Sequence, residues 1–309
     1  MLKIRLEGII LNKEVQRKTI LICIAMIVVG IGLFVNAAAK LSSAWNQEKE
    51  KAVSSQNTSN TSNSASTSAS VMQEVISPGN QLDLTQSSEK IQYIQSHENL
   101  YPDELLDLLS RNVETVDFIY SYPNLEKAGL NTEAAAEGLV LTSEEMESSH
   151  PLLLQWDTRW GAIPYGNSMI ALSGCGPTCL SMVAAGLTGN AEATPAAISM
   201  FAMERGYYIE GTGTSWSLMT EGCTHYGLQG QEISLSEEVM AQKLQEGCML
   251  ICSVSEGDFT QTGHFIVIYG YEDGWFEVND PNSVTRSNAK WTYDRLEGQI
   301  RNLWAMSAL

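Results

Sequence analysis

MLICSV at 249–254, HFIVIYGY at 264–271 and WFEVND at 275–280 are three apolar runs separated by short polar breaks, and their spacing decides the fold. Each is rich in β-branched or aromatic residues and bounded by turn formers, the signature of strands. The break Glu272-Asp273-Gly274 is short enough for a tight hairpin, so the last two runs pair antiparallel. Upstream the texture is helical. Gly176-Pro177 leads into TCLSMVAAGLTG at 178–189, with Pro at the start and Gly189 past the end. Thr194-Pro195 opens a second helix, ended by Gly206. Ser234 and Glu237 are spaced as a capping box ahead of Val239, Met240 and Leu244, and Gly247 closes that helix. The final NLWAMSAL adds another strand. Helices first and neighbouring strands later predict an α+β fold with an antiparallel sheet, not alternating βαβ units.

The chain N-terminal to this region divides by composition. Residues 79–148 read as a helical, polar extension. Tyr101-Pro102-Asp103 opens a helix there, Leu105, Leu106, Leu108, Leu109, Val113, Val116 and Ile119 form its apolar face, and Tyr122-Pro123 stops it. Residues 40–78 hold SSQNTSNTSNSASTSAS at 54–70, which has no apolar period and reads as a flexible linker. Residues 19–39, TILICIAMIVVGIGLFVNAAA, carry no charge and match the length needed to span a bilayer. Five bases against two acids give residues 1–18 a net +3, while the whole chain stands at −18, so the remainder sums to −21. The positive-inside rule then makes 1–18 a cytoplasmic tail and puts the bulk outside the cell membrane, single-pass. Ala37-Ala38-Ala39 also fits a signal-peptide cleavage site, which would give a secreted protein. The retained anchor is favoured because the apolar run is long for a signal core. The acidic body argues against nucleic acid as a partner.

The chemistry gathers in 149–309. In Ser173-Gly174-Cys175-Gly176-Pro177-Thr178 a cysteine stands between glycines at the mouth of a predicted helix. The helix N-terminus favours a thiolate, its amides offer donors to an oxyanion, and Gly174 and Gly176 leave room for a substrate backbone. His264 begins a strand just after a loop ending at Gly263, itself a candidate for the substrate cleft. The following hairpin returns Asn279 and Asp280 to the same end of the sheet, so Asp280 can orient one ring nitrogen of His264 while the other faces Cys175. Asp258 is a weaker substitute for Asp280. In GTGTSW at 211–216, Trp216 is a candidate wall of the substrate cleft, against the plainer reading of a helix-capping turn. Cys179, Cys223, Cys248 and Cys252 read as core thiols, and Cys175 itself has an inert buried thiol as its alternative.

PLLLQWDTRWG, YGNSMIALSGCGPTCLSMVAAGLTG, RGYYIEGTGTSW and GHFIVIYGYEDGWFEVNDPNS, in this order, resemble the bacteriocin-processing cysteine peptidases of family thirty-nine. The likeness is to the stand-alone C-thirty-nine-like branch and covers about residues 150–309. It implies a papain-like fold, with Cys175 as nucleophile, His264 as base and Asp280 as orienter. The resemblance departs at one place. Transporter-linked relatives carry an oxyanion Gln a few residues before the nucleophile, where this chain reads MIALSG. Gln155 is the nearest upstream Gln and the oxyanion candidate. The expected activity is peptide-bond hydrolysis on a peptide or protein substrate, without cofactor or metal. Cell-wall peptide hydrolysis by the same triad, or an exported peptide-binding module without turnover, are the alternatives.

Overall fold

In the computed structural model, which describes residues 84–309, the expected strands pair around a two-residue turn. Asp273 and Gly274 have φ of 50° and 84°, the double-positive conformation whose twist suits a tight hairpin, and Glu272 faces Trp275 across it. Six strands form the main sheet: β1 (Leu228–Glu232), β2 (Met249–Ser255), β3 (Gly263–Glu272), β4 (Trp275–Asn279), β5 (Lys290–Trp291) and β6 (Ile300–Ala308). Their order is β1-β6-β2-β3-β4-β5, antiparallel throughout. The strand expected at NLWAMSAL therefore lies inside the sheet, between β1 and β2.

The principal helices are α1 (Leu84–Ser96), α2 (Asp103–Arg111), α3 (Val116–Lys127), α4 (Ser143–Glu147), α5 (Cys175–Thr188), α6 (Pro195–Glu204) and α7 (Glu237–Gln245). Side chains alternate across the sheet with period two. Met249 and Ile251 of β2, Phe265 and Val267 of β3, and Trp304 and Met306 of β6 pack with α5 and α6. Leu250, Cys252, Val254, Ile266, Ile268 and Phe276 form a second core with Met240 of α7. Burial of both faces explains why MLICSV reads as a continuous apolar run rather than an alternating one. Helix α5 is buried from Gly176 to Ala185, so it is apolar all round instead of along one stripe.

Local signals hold at α5, where Gly189 caps the end at φ 68°, and at α6, where Thr194 accepts from the Ala197 amide at 3.1 Å. At α7 the structure departs from the expected capping box. Ser236 is the N-cap, without a side-chain bond, and Glu237 instead accepts from the Tyr271 hydroxyl at 2.8 Å. The extension also differs from the expected single helix. Asn112 Oδ1 accepts from the Glu114 amide at 3.1 Å, a local bond that competes with helix continuation and separates α2 from α3. Leu105, Leu108, Val116 and Ile119 are buried as expected, but Val113 is 48% exposed. Tyr122-Pro123 does not stop α3, which runs on to Lys127. Tyr122 is buried against Phe118, and that packing outweighs the one backbone bond Pro123 cannot donate.

Residues 85–309 form one compact unit. Among the described residues no helix is long and apolar enough to cross a membrane. The tail, apolar segment and linker expected at 1–18, 19–39 and 40–78 lie outside the described residues.

Candidate active site

Cys175 is the first residue of α5 and is half-buried. Its flanking glycines face inward, not toward a substrate. A Cβ on Gly174 would lie 2.6 Å from the Ile170 side chain, and one on Gly176 would lie 2.8 Å from Thr214. Thr214 is itself fixed by the Tyr165 hydroxyl at 2.8 Å. Internal packing therefore requires both glycines. Of the other cleft candidates, Gly263 is exposed with open space at its Cβ position. Trp216 is 47% exposed, edge-on to Trp304 at 5.7 Å.

His264 is the second residue of β3, opposite Val254 of β2, and is 8% exposed. Its Nε2 pairs with Asp280 Oδ1 at 2.8 Å. With Nε2 on Asp280, Nδ1 is the free ring nitrogen, and the Cys175 thiol is close enough to act on the imidazole. Burial by itself disfavours the imidazolium, but the Asp280 carboxylate and then Cys175 outweigh it, and the His264 pKa is pushed up to about 10.

Asp280 follows the last residue of β4 and is fully buried. Burial raises a carboxyl pKa, yet His264 and then Arg286 overcome this and hold Asp280 below the usual carboxylate range. Its Oδ1 also accepts from the Asn282 amide at 2.8 Å, its Oδ2 from Arg286 Nε at 2.5 Å, and its own amide donates to Ser287 Oγ at 2.8 Å. Asn279 turns elsewhere and donates to the carbonyls of His150 and Pro151. Asp258 is occupied by Arg295 and Gln299, which removes it as a substitute orienter.

Gln155 is buried between the two halves of this site. Its amide donates to the Pro281 carbonyl at 2.8 Å, and its Nε2 donates to the Ala171 carbonyl at 2.7 Å. Pro281 adjoins Asp280 and Ala171 lies one turn before Cys175. Its Oε1 is buried without a partner among the described residues. Cys179, one turn into α5, is fully buried, and burial pushes its thiol pKa well up. Cys223, Cys248 and Cys252 are raised by burial too. All five described cysteines are free, and no group of three or more His, Cys, Asp and Glu among the described residues is arranged to hold a metal.

Sequence reading missed Arg286, whose guanidinium reaches Asp280, and also missed Asn112 and Glu114, which bond to the residues after it. Ser283 and Arg286 do carry a cap spacing, since Ser283 Oγ accepts from the Arg286 amide at 3.1 Å. No local pattern points to Glu114.

A cysteine-bearing helix packed on an antiparallel sheet that carries a His–Asp pair is the arrangement of a papain-like peptidase domain. The chain belongs to the Peptidase C39 like family, whose profile matches residues 149–308. Among solved structures, it is similar to the peptidase domain of Streptococcus ComA, a bi-functional ABC transporter involved in a quorum-sensing pathway. That likeness has 17% identity and a TM-score of 0.38, covering 52% of this chain and 99% of that one. A putative C39-like peptidase from Bacillus anthracis is similar at 14% identity and a TM-score of 0.32, covering 54% and 96%. No curated protein matches the chain.

Proposed function

We propose that this chain is an extracytoplasmic cysteine peptidase in which Cys175 is the nucleophile, His264 the general base and acid, and Asp280 the orienter. The observation that carries the reading is the buried His264–Asp280 pair at 2.8 Å, with Cys175, at a helix N-terminus, among the groups that act on the imidazole. A histidine whose pKa the Asp280 carboxylate and Cys175 push up to about 10 suits a general base and acid beside a thiol.

The Cys175 thiolate attacks the scissile carbonyl carbon, forming a C–S bond and an oxyanion. As that intermediate collapses, the C–N bond breaks and His264 gives its Nδ1 proton to the leaving amine. Neutral His264 then takes a proton from water, whose oxygen attacks the thioester. Cleavage of the C–S bond releases the carboxylic acid and restores the ion pair. For the oxyanion, the first amides of α5 are suitable donors. Gln155 has one amide hydrogen on the Ala171 carbonyl and a second to offer. Residues 19–39 would anchor the chain, with 40–78 as a spacer and 79–148 as the extension before the catalytic domain at 149–309.

The test is iodoacetamide labelling of the full chain, read thiol by thiol by peptide mapping, with His264→Ala alongside. Cys175 should label fastest at about pH 6, and His264→Ala should slow it by about tenfold or more. Half-buried Cys248 is the matched thiol. If Cys175 labels no faster than Cys248, or ignores the loss of His264, the peptidase reading falls. Where labelling succeeds, release of fragments from purified cell wall, against cleavage of soluble peptides, identifies the substrate class.

A further inference from the structure

Residues about 170 positions apart in sequence meet on the loop that carries Asp280. Glu114 lies in the 3-10 turn Val113–Thr115 between α2 and α3. Its Oε1 accepts from the Ser283 hydroxyl at 2.6 Å and its Oε2 from the Val284 amide at 2.7 Å. The Thr285 amide is within 3.4 Å of both oxygens. Asn112 works from the same turn. Its Oδ1 shapes the turn through the Glu114 amide, while its Nδ2 donates to the Asn282 carbonyl at 2.6 Å. Trp156 Nε1 reaches that carbonyl as well, at 3.3 Å.

On the inner side, the same loop grips Asp280. The Asn282 amide bonds Oδ1, the oxygen that faces His264, and Arg286 bonds Oδ2. In the Val284–Ser287 turn Ser283 caps the Arg286 amide, and Glu114 takes the Val284 and Thr285 amides before it. What the carboxylate adds is attachment to the extension. That attachment matters because Asp280 has two cationic claimants. If the turn carrying Arg286 shifted, the guanidinium could draw the carboxylate off His264.

We infer that Asn112 and Glu114 are positioning residues for Asp280, and that the extension is thereby part of the catalytic apparatus even though it lies outside the family match at 149–308. The inference rests on the triad reading above. It gives the extension a function: it fixes which carboxylate oxygen faces the imidazole.

The experiment compares the pH profile of Cys175 labelling, from about pH 4 to 10, in the full chain and four variants. His264→Ala reports on the triad. Glu114→Ala removes the clamp, and Glu114→Gln, which keeps one acceptor for Ser283, is the milder version should the first not fold. Glu145→Gln is the control, because it weakens the extension's separate tie to Arg159 without touching the loop. Both Glu114 variants should displace the profile by about one pH unit, Glu114→Ala the more. Glu145→Gln should lower the unfolding midpoint and leave the profile in place. A His264-dependent profile that neither Glu114 variant moves overturns the clamp and spares the triad. So does a displacement by Glu145→Gln that matches theirs. A profile indifferent to His264 overturns both.

Discussion

Cys175 and Asp280 are held in opposite ways. Around Cys175 position is set by volume: α5 is buried from Gly176 to Ala185, and its glycines exist because Ile170 and Thr214 occupy the space a side chain would need. Around Asp280 position is set by hydrogen bonds and charge, drawn from His264, Asn282, Arg286 and Ser287. A packed helix resists displacement in every direction at once. A wired loop is stiff only along its bonds, so the two halves of the site should fail under different perturbations.

The largest effect should come from cutting the wiring. Asp280→Ala leaves the half-buried Arg286 guanidinium and the buried His264 imidazole without their anion, and should cost about 3 kcal/mol in denaturant unfolding. Asp280→Ala combined with Arg286→Met should recover part of it. The pH dependence has a definite sign. His264, raised from 6.5, contributes stability that is full below about 6.5 and lost as pH climbs toward 10. Asp280, lowered from 3.8, contributes stability present above about 4 and lost as pH falls. The gap between wild type and Asp280→Ala should thus be widest between about pH 4 and 6.5 and narrow toward alkaline pH. A gap constant with pH would mean that the loop, too, is held by packing.

Volume is the next test. Gly176→Ala drives a methyl against Thr214 at 2.8 Å and should cost about 1–3 kcal/mol, independent of pH. Adding Thr214→Ser should relieve only part of it, since Cγ2 goes but Cβ and the hydroxyl oxygen stay. If Gly176→Ala is tolerated unrelieved, the Cys175 side is looser than its burial indicates. The smallest effect belongs to a polar atom on the packed side. The buried Thr178 hydroxyl donates to the Gly174 carbonyl, which also receives the Thr178 amide. Thr178→Val should therefore cost only about 0.5 kcal/mol by thermal or chemical unfolding. A larger loss would show that hydrogen bonds matter as much here as at Asp280.

The same contrast decides what was legible in the sequence. Volume and period are local properties. The strands, the Asp273-Gly274 hairpin, the Pro177 and Gly189 limits of α5 and the return of Asp280 toward His264 could all be read along a few residues. The wiring is not local. Glu114 meets Ser283 across 169 positions, and a glutamate in a helical extension has nothing beside it to announce that role. The inward-facing glycines were misread for a related reason. Their sequence says that space is needed, but only the position of Thr214, 38 residues on, says what fills it. At Asn112 one side-chain bond interrupts the helix that the apolar period predicts, and at Pro123 a buried tyrosine carries the helix past its expected stop.

Strand β6 follows every other strand of the sheet in the chain, yet it lies second in spatial order and is the neighbour that joins β1 to β2. Its Trp304 and Met306 also belong to the core beneath α5. During synthesis, then, the helix bearing the thiol has no finished floor, and β1 has no partner, until residues 300–308 have emerged. Pairings that wait on such distant segments form late in folding. The topology thus acts as a timer: a chain whose residues 300–308 have not yet emerged already carries Cys175, His264 and Asp280 but lacks the strand that completes the sheet beneath them.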